Sequence, residues 1–168
     1  MAKVRNYINN KTLYEAMIEH REKLNEGLKP QVSTYIGQSI LLICNNLAKR
    51  PNFSGYSYKD ELISDGIVDC LAAIDNFDPN KTNNPFAYFT QIAWNAFVRR
   101  IQKEHKHAYI KHKNFENMYF LEDSWQSAHD AIQLKPNEIS SKIIENFENK
   151  LTKKKNSAIL GVTKFVGE

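Results

Sequence analysis

The chain has 168 residues, a hydrophobic fraction of 42%, two cysteines and a net charge of +4. That is enough for one compact domain and a tail. It excludes a membrane span, which needs about 18 consecutive apolar residues, and Met1 to Asn10 lacks the apolar core of a signal peptide. An intracellular protein is expected, with Cys44 and Cys70 as buried free thiols at apolar helical positions. The charge is unevenly spread. From Arg99 to Lys113 there are six Lys or Arg against Glu104, whereas Asp60 to Asp78 carries Asp60, Glu61, Asp65, Asp69, Asp75 and Asp78. One basic and one acidic surface imply two different partners.

Glycine and proline are few and fall between periodic segments, so the predicted fold is all-α. Asn10 is placed to cap a first helix over about 11–26, with Leu13, Met17 and Leu24 on one face. Gly27 and Pro30 end it and open a second helix over about 31–49, striped by Ile36, Ile40, Ile43 and Leu47. Residues 50–57 read as a loop. Ser57 and Asp60 resemble a capping box for a third helix over about 58–76, whose buried stripe is Ile63, Ile67, Cys70, Ile74 and Phe77. After a turn from Asp78 to Pro85, a fourth helix runs over about 86–106 with Phe86, Phe89, Ala93, Phe97 and Ile101 inward. From 108 to 135 the aromatics Tyr109, Phe115, Tyr119, Phe120 and Trp125 show no clean period. Pro136 opens a last helix over about 137–152, through Ile139, Ile143, Phe147 and Leu151. The expected organisation is a helical domain over 1–107 with its core at 31–107, an extension over 108–157, and an apolar tail over 158–168.

The fourth helix is the most informative. Tyr88, Gln91, Asn95, Arg99 and Gln102 recur at three or four residues and so share one side. Asn and Gln suit adenine edges and Arg suits guanine; Arg100, Lys103 and Lys106 suit phosphates. Tyr88 and Trp94 are the rings available to stack on exposed bases, each such stack contributing roughly 1–3 kcal/mol. A solvated polar face is the plainer reading of the same stripe. On the third helix Glu61, Asp65 and Asp69 recur every four residues. Such carboxylates repel by a few tenths of a kcal/mol per pair, which a basic partner would relieve; a solvated acidic face is again the plainer reading.

Three histidines, His105, His107 and His112, lie close together, but not at the i, i+4 spacing of a helical zinc site. There is no Cys-x-x-Cys, no glycine-rich phosphate loop and no Gly-x-Ser-x-Gly turn. No metal, no cofactor, no catalytic residue and no enzymatic activity are expected.

Three stretches in order, Leu41 to Arg50, Asp60 to Asp78 and Pro85 to Arg100, resemble region two of the bacterial sigma factors. The middle one is similar to the family's acidic helix, with a carboxylate-Gly pair before an apolar run ending in Asp-x-Phe-Asp, and the last to its promoter-reading helix. The resemblance covers about 31–107. Closer still, Asn52 to Tyr56, Asn84 to Gln91 and Asn95 to Arg100 resemble segments of the late-gene sigma factors of T-even-like bacteriophages. The resemblance implies late viral transcription by the host polymerase, in the cytoplasm of an infected bacterium, from AT-rich minus-ten-type promoters. Glu61, Ser64, Asp65 and Leu71 would meet the coiled coil of the polymerase's largest subunit. Tyr88 matches the tyrosine that stacks where the duplex first opens, and Asn95 a glutamine at the upstream edge of the minus-ten element. Gln91 and Ile92 stand where housekeeping sigma factors have paired tryptophans, with Trp94 as a substitute wedge. Arg99, Arg100, Lys103 and Lys106 complete the DNA-binding set. The residues after His107 show no helix-turn-helix pattern, so recognition is expected to rest on one AT-rich element. In the phage family a sliding clamp grips the extreme C-terminus and a co-activator assists; Leu160, Phe165 and Val166 are the corresponding apolar residues here, although packing back on the core is equally open to them. The competing expectation is a helical polymerase-binding adaptor that reads no DNA.

Overall fold

The computed structural model describes residues 7–27, 30–123 and 138–163, with side chains described for 7–27, 30–118 and 139–153. The described residues form helices α1 (Asn10–Asn25), α2 (Thr34–Ala48), α3 (Pro51–Ser54), α4 (Lys59–Ala72), α5 (Pro85–Asp123) and α6 (Glu138–Thr163), with a 3₁₀ turn at Ile74–Asn76. Among them there is no strand, which makes the fold all-α as expected, and no helix is long and apolar enough to cross a membrane. The chain divides into two compact units, Met1–Ile101 and Gln102–Glu168.

The first unit is organised by its stripes. Leu13 and Met17 of α1, and Ile36, Ile40, Ile43 and Leu47 of α2, are all buried, as their spacing predicts. His20, not Leu24, completes the α1 stripe; its Nε2 lies 2.9 Å from Asp75 Oδ1, which gives the buried ring a polar partner. Ser33 caps α2 by accepting from the Ile36 amide at 3.3 Å. Gly27, with φ +77°, supplies the left-handed residue just beyond α1.

Local detail departs from the sequence reading at three places. Asn9, one residue before the expected cap, accepts from the Lys11 amide. Asn10 instead takes its side chain to α5, accepting from the Phe86 amide at 3.2 Å, where Asn84 also accepts from Ala87 at 3.0 Å. A cap seventy-six residues away in sequence leaves no local signal. Second, residues 51–54 are a helical turn rather than loop, opened by Pro51 and pinned by buried Phe53. Third, the capping box fails: the residue before α4 is Tyr58, without a side-chain cap.

On α4 the buried line is Leu62, Gly66 and Cys70, continued by Ile74 and Phe77; Ile63 and Ile67 pack at its edge. The line runs through Gly66 because α5 approaches there. A Cβ on Gly66 would lie 2.7 Å from a Phe97 ring carbon and 3.3 Å from Cys44 Sγ. Phe89, Ala93 and Phe97 of α5 are fully buried as expected, with Ala96 beside them, while Phe86 and Ile101 are half-buried. Phe53 meets Phe97 edge-on with centroids 5.1 Å apart. Cys44 and Cys70 are buried free thiols, and Cys70 Sγ reaches the Phe89 carbonyl at 3.5 Å. The hydrogen bond with Cys44, reinforced by burial, pushes the Cys70 thiol far above its ordinary value, so it behaves as core.

The second unit differs from expectation in both helices. Helix α5 continues to Asp123 and α6 to Thr163. In α6 the inward positions are Ser140, Ile144 and Phe147, whereas Ile139 and Leu151 are exposed. Phe147 stacks on Tyr109 with centroids 4.5 Å apart, and His112 Nδ1 lies 3.0 Å from Ser140 Oγ.

Candidate functional site

The acidic and basic helices are neighbours. Gly66 brings α4 and α5 close, and Phe97 fills the contact from the other side. Two charged rows therefore flank one seam. Arg99 pairs with Asp69, and Arg100 Nη1 lies 3.4 Å from Asp65 Oδ2. The basic groups that relieve the α4 carboxylates thus belong to the same chain. Arg99 is 66% exposed, so its pair contributes only about 0.2–1 kcal/mol to stability. Arg100 is more enclosed, at 22%.

The outer side of α4 is a different surface. Glu61, Ser64, Val68 and Leu71 are exposed at intervals of three or four residues. Ser64 turns its hydroxyl back to the Asp60 carbonyl at 2.8 Å, leaving Val68 (63% exposed) and Leu71 (42%) as its prominent apolar groups. Leu41 and Leu42 of α2 are exposed as well. Val68 was not singled out from the sequence, although it falls on the spacing between Ser64 and Leu71.

On α5, Gln91, Asn95, Arg99, Lys103 and Lys106 are exposed. Gln91 donates to Asn95 Oδ1 at 3.0 Å, so the two amides form one polar patch. Tyr88, Ile92 and Trp94 are half-buried and pack against the core. Tyr88 donates its hydroxyl to the Ala73 carbonyl at 3.0 Å and sits edge-on to Phe77 and Phe89. Burial, and then the neighbouring Cys70, raises its ionisation above the ordinary tyrosine value. Trp94 leans edge-on against Phe53 at 4.8 Å. These rings are held in place rather than free to swing, and the outward stripe proper consists of Gln91, Asn95 and Arg99. Periodicity put Tyr88 on the same side; the contacts with Phe77 and Ala73, from another element, decide its enclosure.

Burial, and then Lys150, lowers the ionisation of His105, and no group of three potential metal ligands occurs among the described residues. Of the three C-terminal residues, Leu160 lies in α6 with its side chain outside the described set, and Phe165 and Val166 lie outside the described residues.

The first unit thus packs an acidic, partly apolar helix against a helix that carries amides and arginines on its exposed side. The family model of Sigma-70 region 2 matches residues 44–107, from within α2 to within α5. The chain is sigma-factor-like over that segment, and the family is one of transcription factors that implies binding to the RNA polymerase core and a role at promoter DNA. No curated protein matches the chain.

Proposed function

We propose that the protein is a sigma factor that directs RNA polymerase to AT-rich minus-ten-type promoters, of the late-phage kind, and promotes their opening. Glu61, Ser64, Asp65 and Leu71, joined by Val68, meet the coiled coil of the polymerase's largest subunit. Gln91, Asn95 and Arg99 face the duplex, Arg100, Lys103 and Lys106 serve its phosphates, and Tyr88, Ile92 and Trp94 form the surface on which an unpaired base stacks. The observation that carries this reading is the exposure of Val68 and Leu71 beside Glu61 on α4, while α5 presents amides and an arginine. A pre-ordered ring suits stacking, because its ordering cost is met in folding and not on binding. The apolar C-terminal segment with Leu160, Phe165 and Val166 is proposed to engage a sliding clamp, with a co-activator assisting, in an infected host's cytoplasm.

The test is transcription in vitro from an AT-rich template with core polymerase and this protein alone. The expected result is specific initiation that Glu61→Lys or Leu71→Arg reduces about tenfold by weakening core binding, one decade for about 1.4 kcal/mol. Core polymerase that fails to bind the wild-type protein would overturn the reading. A second reading, a polymerase-binding adaptor without promoter contacts, is favoured by one observation: Arg99 is occupied by Asp69 and Gln91 by Asn95. A gel shift with polymerase and promoter separates the two, since an adaptor adds no sequence preference.

A further inference from the structure

The α4–α5 ion pairs engage the same arginines that the proposed function assigns to DNA. Asp69 holds Arg99 and Asp65 holds Arg100. Arg99 is 66% exposed, so little burial opposes its transfer to another anion. The two carboxylates sit one turn apart beside the outer face of α4, where a basic partner would compete for them. A guanidinium paired with a carboxylate contributes little net charge to the field that attracts phosphate.

We infer that the Asp69–Arg99 and Asp65–Arg100 pairs form an autoinhibitory charge latch, which holds the DNA-facing arginines of α5 until a basic surface of the polymerase takes over the α4 carboxylates. The inference rests on the sigma-factor reading above. In the free protein Arg99 and Arg100 are withheld from phosphate. When the polymerase docks, its cations replace them at Asp65 and Asp69, and the two guanidinium groups turn to the DNA backbone. Docking and DNA binding thereby reinforce each other, as linkage requires of any shared group.

The experiment measures binding of the full-length protein to a fluorescent AT-rich duplex by anisotropy over a series of salt concentrations, without polymerase and then with saturating core polymerase. Asp69→Asn is compared with Asp60→Asn, which removes the same charge from an exposed position on α4. Without polymerase, Asp69→Asn should tighten binding about two- to fivefold beyond Asp60→Asn, the range of a released surface ion pair. Its log–log salt slope should steepen by about 0.9, one added phosphate contact. Adding Arg99→Gln to Asp69→Asn should remove both gains. With polymerase bound, the advantage of Asp69→Asn should vanish because the latch is already open. Equal affinities and slopes for Asp69→Asn and Asp60→Asn without polymerase would overturn the latch, as would a gain that survives Arg99→Gln or persists undiminished on the polymerase. If wild type forms a promoter complex with polymerase while the latch result is negative, the latch alone fails. If wild type does not bind core polymerase, the functional reading fails with it.

Discussion

The described residues of the two units differ in how much apolar side chain they bury. Residues 7–101 bury three phenylalanines completely, Phe77, Phe89 and Phe97, together with the aliphatic stripes of α1 and α2. In the second unit Ile144 is the one buried apolar side chain among the described residues, supported by the Tyr109–Phe147 stack. Its surface also carries Ile110, Phe115, Met118, Ile139 and Leu151 in exposed positions. Hydrophobic burial is the dominant favourable term in folding, so the first unit should set the stability of the protein and the second should open first. The family match falls mostly in the first unit.

The largest effect that would break this comparison is at Phe97. Phe97→Ala leaves a cavity against Gly66, Cys44 and Phe53, and should lower unfolding stability by about 3–5 kcal/mol. Urea titration followed by Trp94 fluorescence, in a Trp125→Phe background, checks it; a loss under 1 kcal/mol would contradict the packing described. Next comes Ile144→Ala. At 7% exposure it is less completely enclosed than Phe97, so the cost should be near the lower end for such truncations, about 2 kcal/mol. Hydrogen exchange should accelerate in α6 while the α2 and α4 amides keep their protection; equal acceleration in α2 would show that the units share one cooperative core. Gly66→Ala sets two effects against each other. The methyl meets the Phe97 ring at 2.7 Å, which costs about 1–3 kcal/mol, and helix propensity returns up to about 1 kcal/mol. A net loss of about 1–2 kcal/mol in the first unit is expected, and a stabilised variant would show that α5 can withdraw.

The smallest effect concerns pH. The Asn80 amide, donating to Asp78 Oδ1 at 3.0 Å, holds the Asp78 carboxyl below its ordinary value of 3.8. A carboxyl whose folded-state value is depressed contributes stability that is present above its unfolded value and is lost as pH falls through the folded one. The melting-temperature difference between wild type and Asp78→Asn should therefore be present at pH 7 and shrink as the pH falls below the ordinary carboxyl value of 3.8. A difference that grows on acidification would have the wrong sign for this turn.

The sequence was legible where one face of one helix meets the core. Ile36, Ile40, Ile43 and Leu47, or Phe89, Ala93 and Phe97, repeat at helical spacing because burial selects apolar side chains on one side only. The lengths of α5 and α6 were less legible. No glycine or proline interrupts Phe86 to Asp123, and freedom from helix breakers allows a helix even where apolar periodicity is weak. The candidate site divided in the same way. Gln91, Asn95 and Arg99 follow from spacing along α5, and Glu61, Asp65 and Asp69 from spacing along α4, whereas Ser64 and Leu71 come only from the family resemblance. Nothing local indicates that Tyr88 is tied to Ala73, that Asn10 caps α5, or that Asp65 and Asp69 take Arg100 and Arg99 as partners.

What the sequence determined alone was the helical class, the inward faces of α2 and α5, and the separation of acidic from basic residues, since each depends on the order of side chains within one element. What only the tertiary structure decided was which elements meet. Gly66 lets α5 come close, and that approach places arginines beside carboxylates thirty or more residues away in sequence. Periodicity specifies the side of a helix on which a charge lies; the packing of a second helix decides whether that charge faces water or a partner of opposite sign.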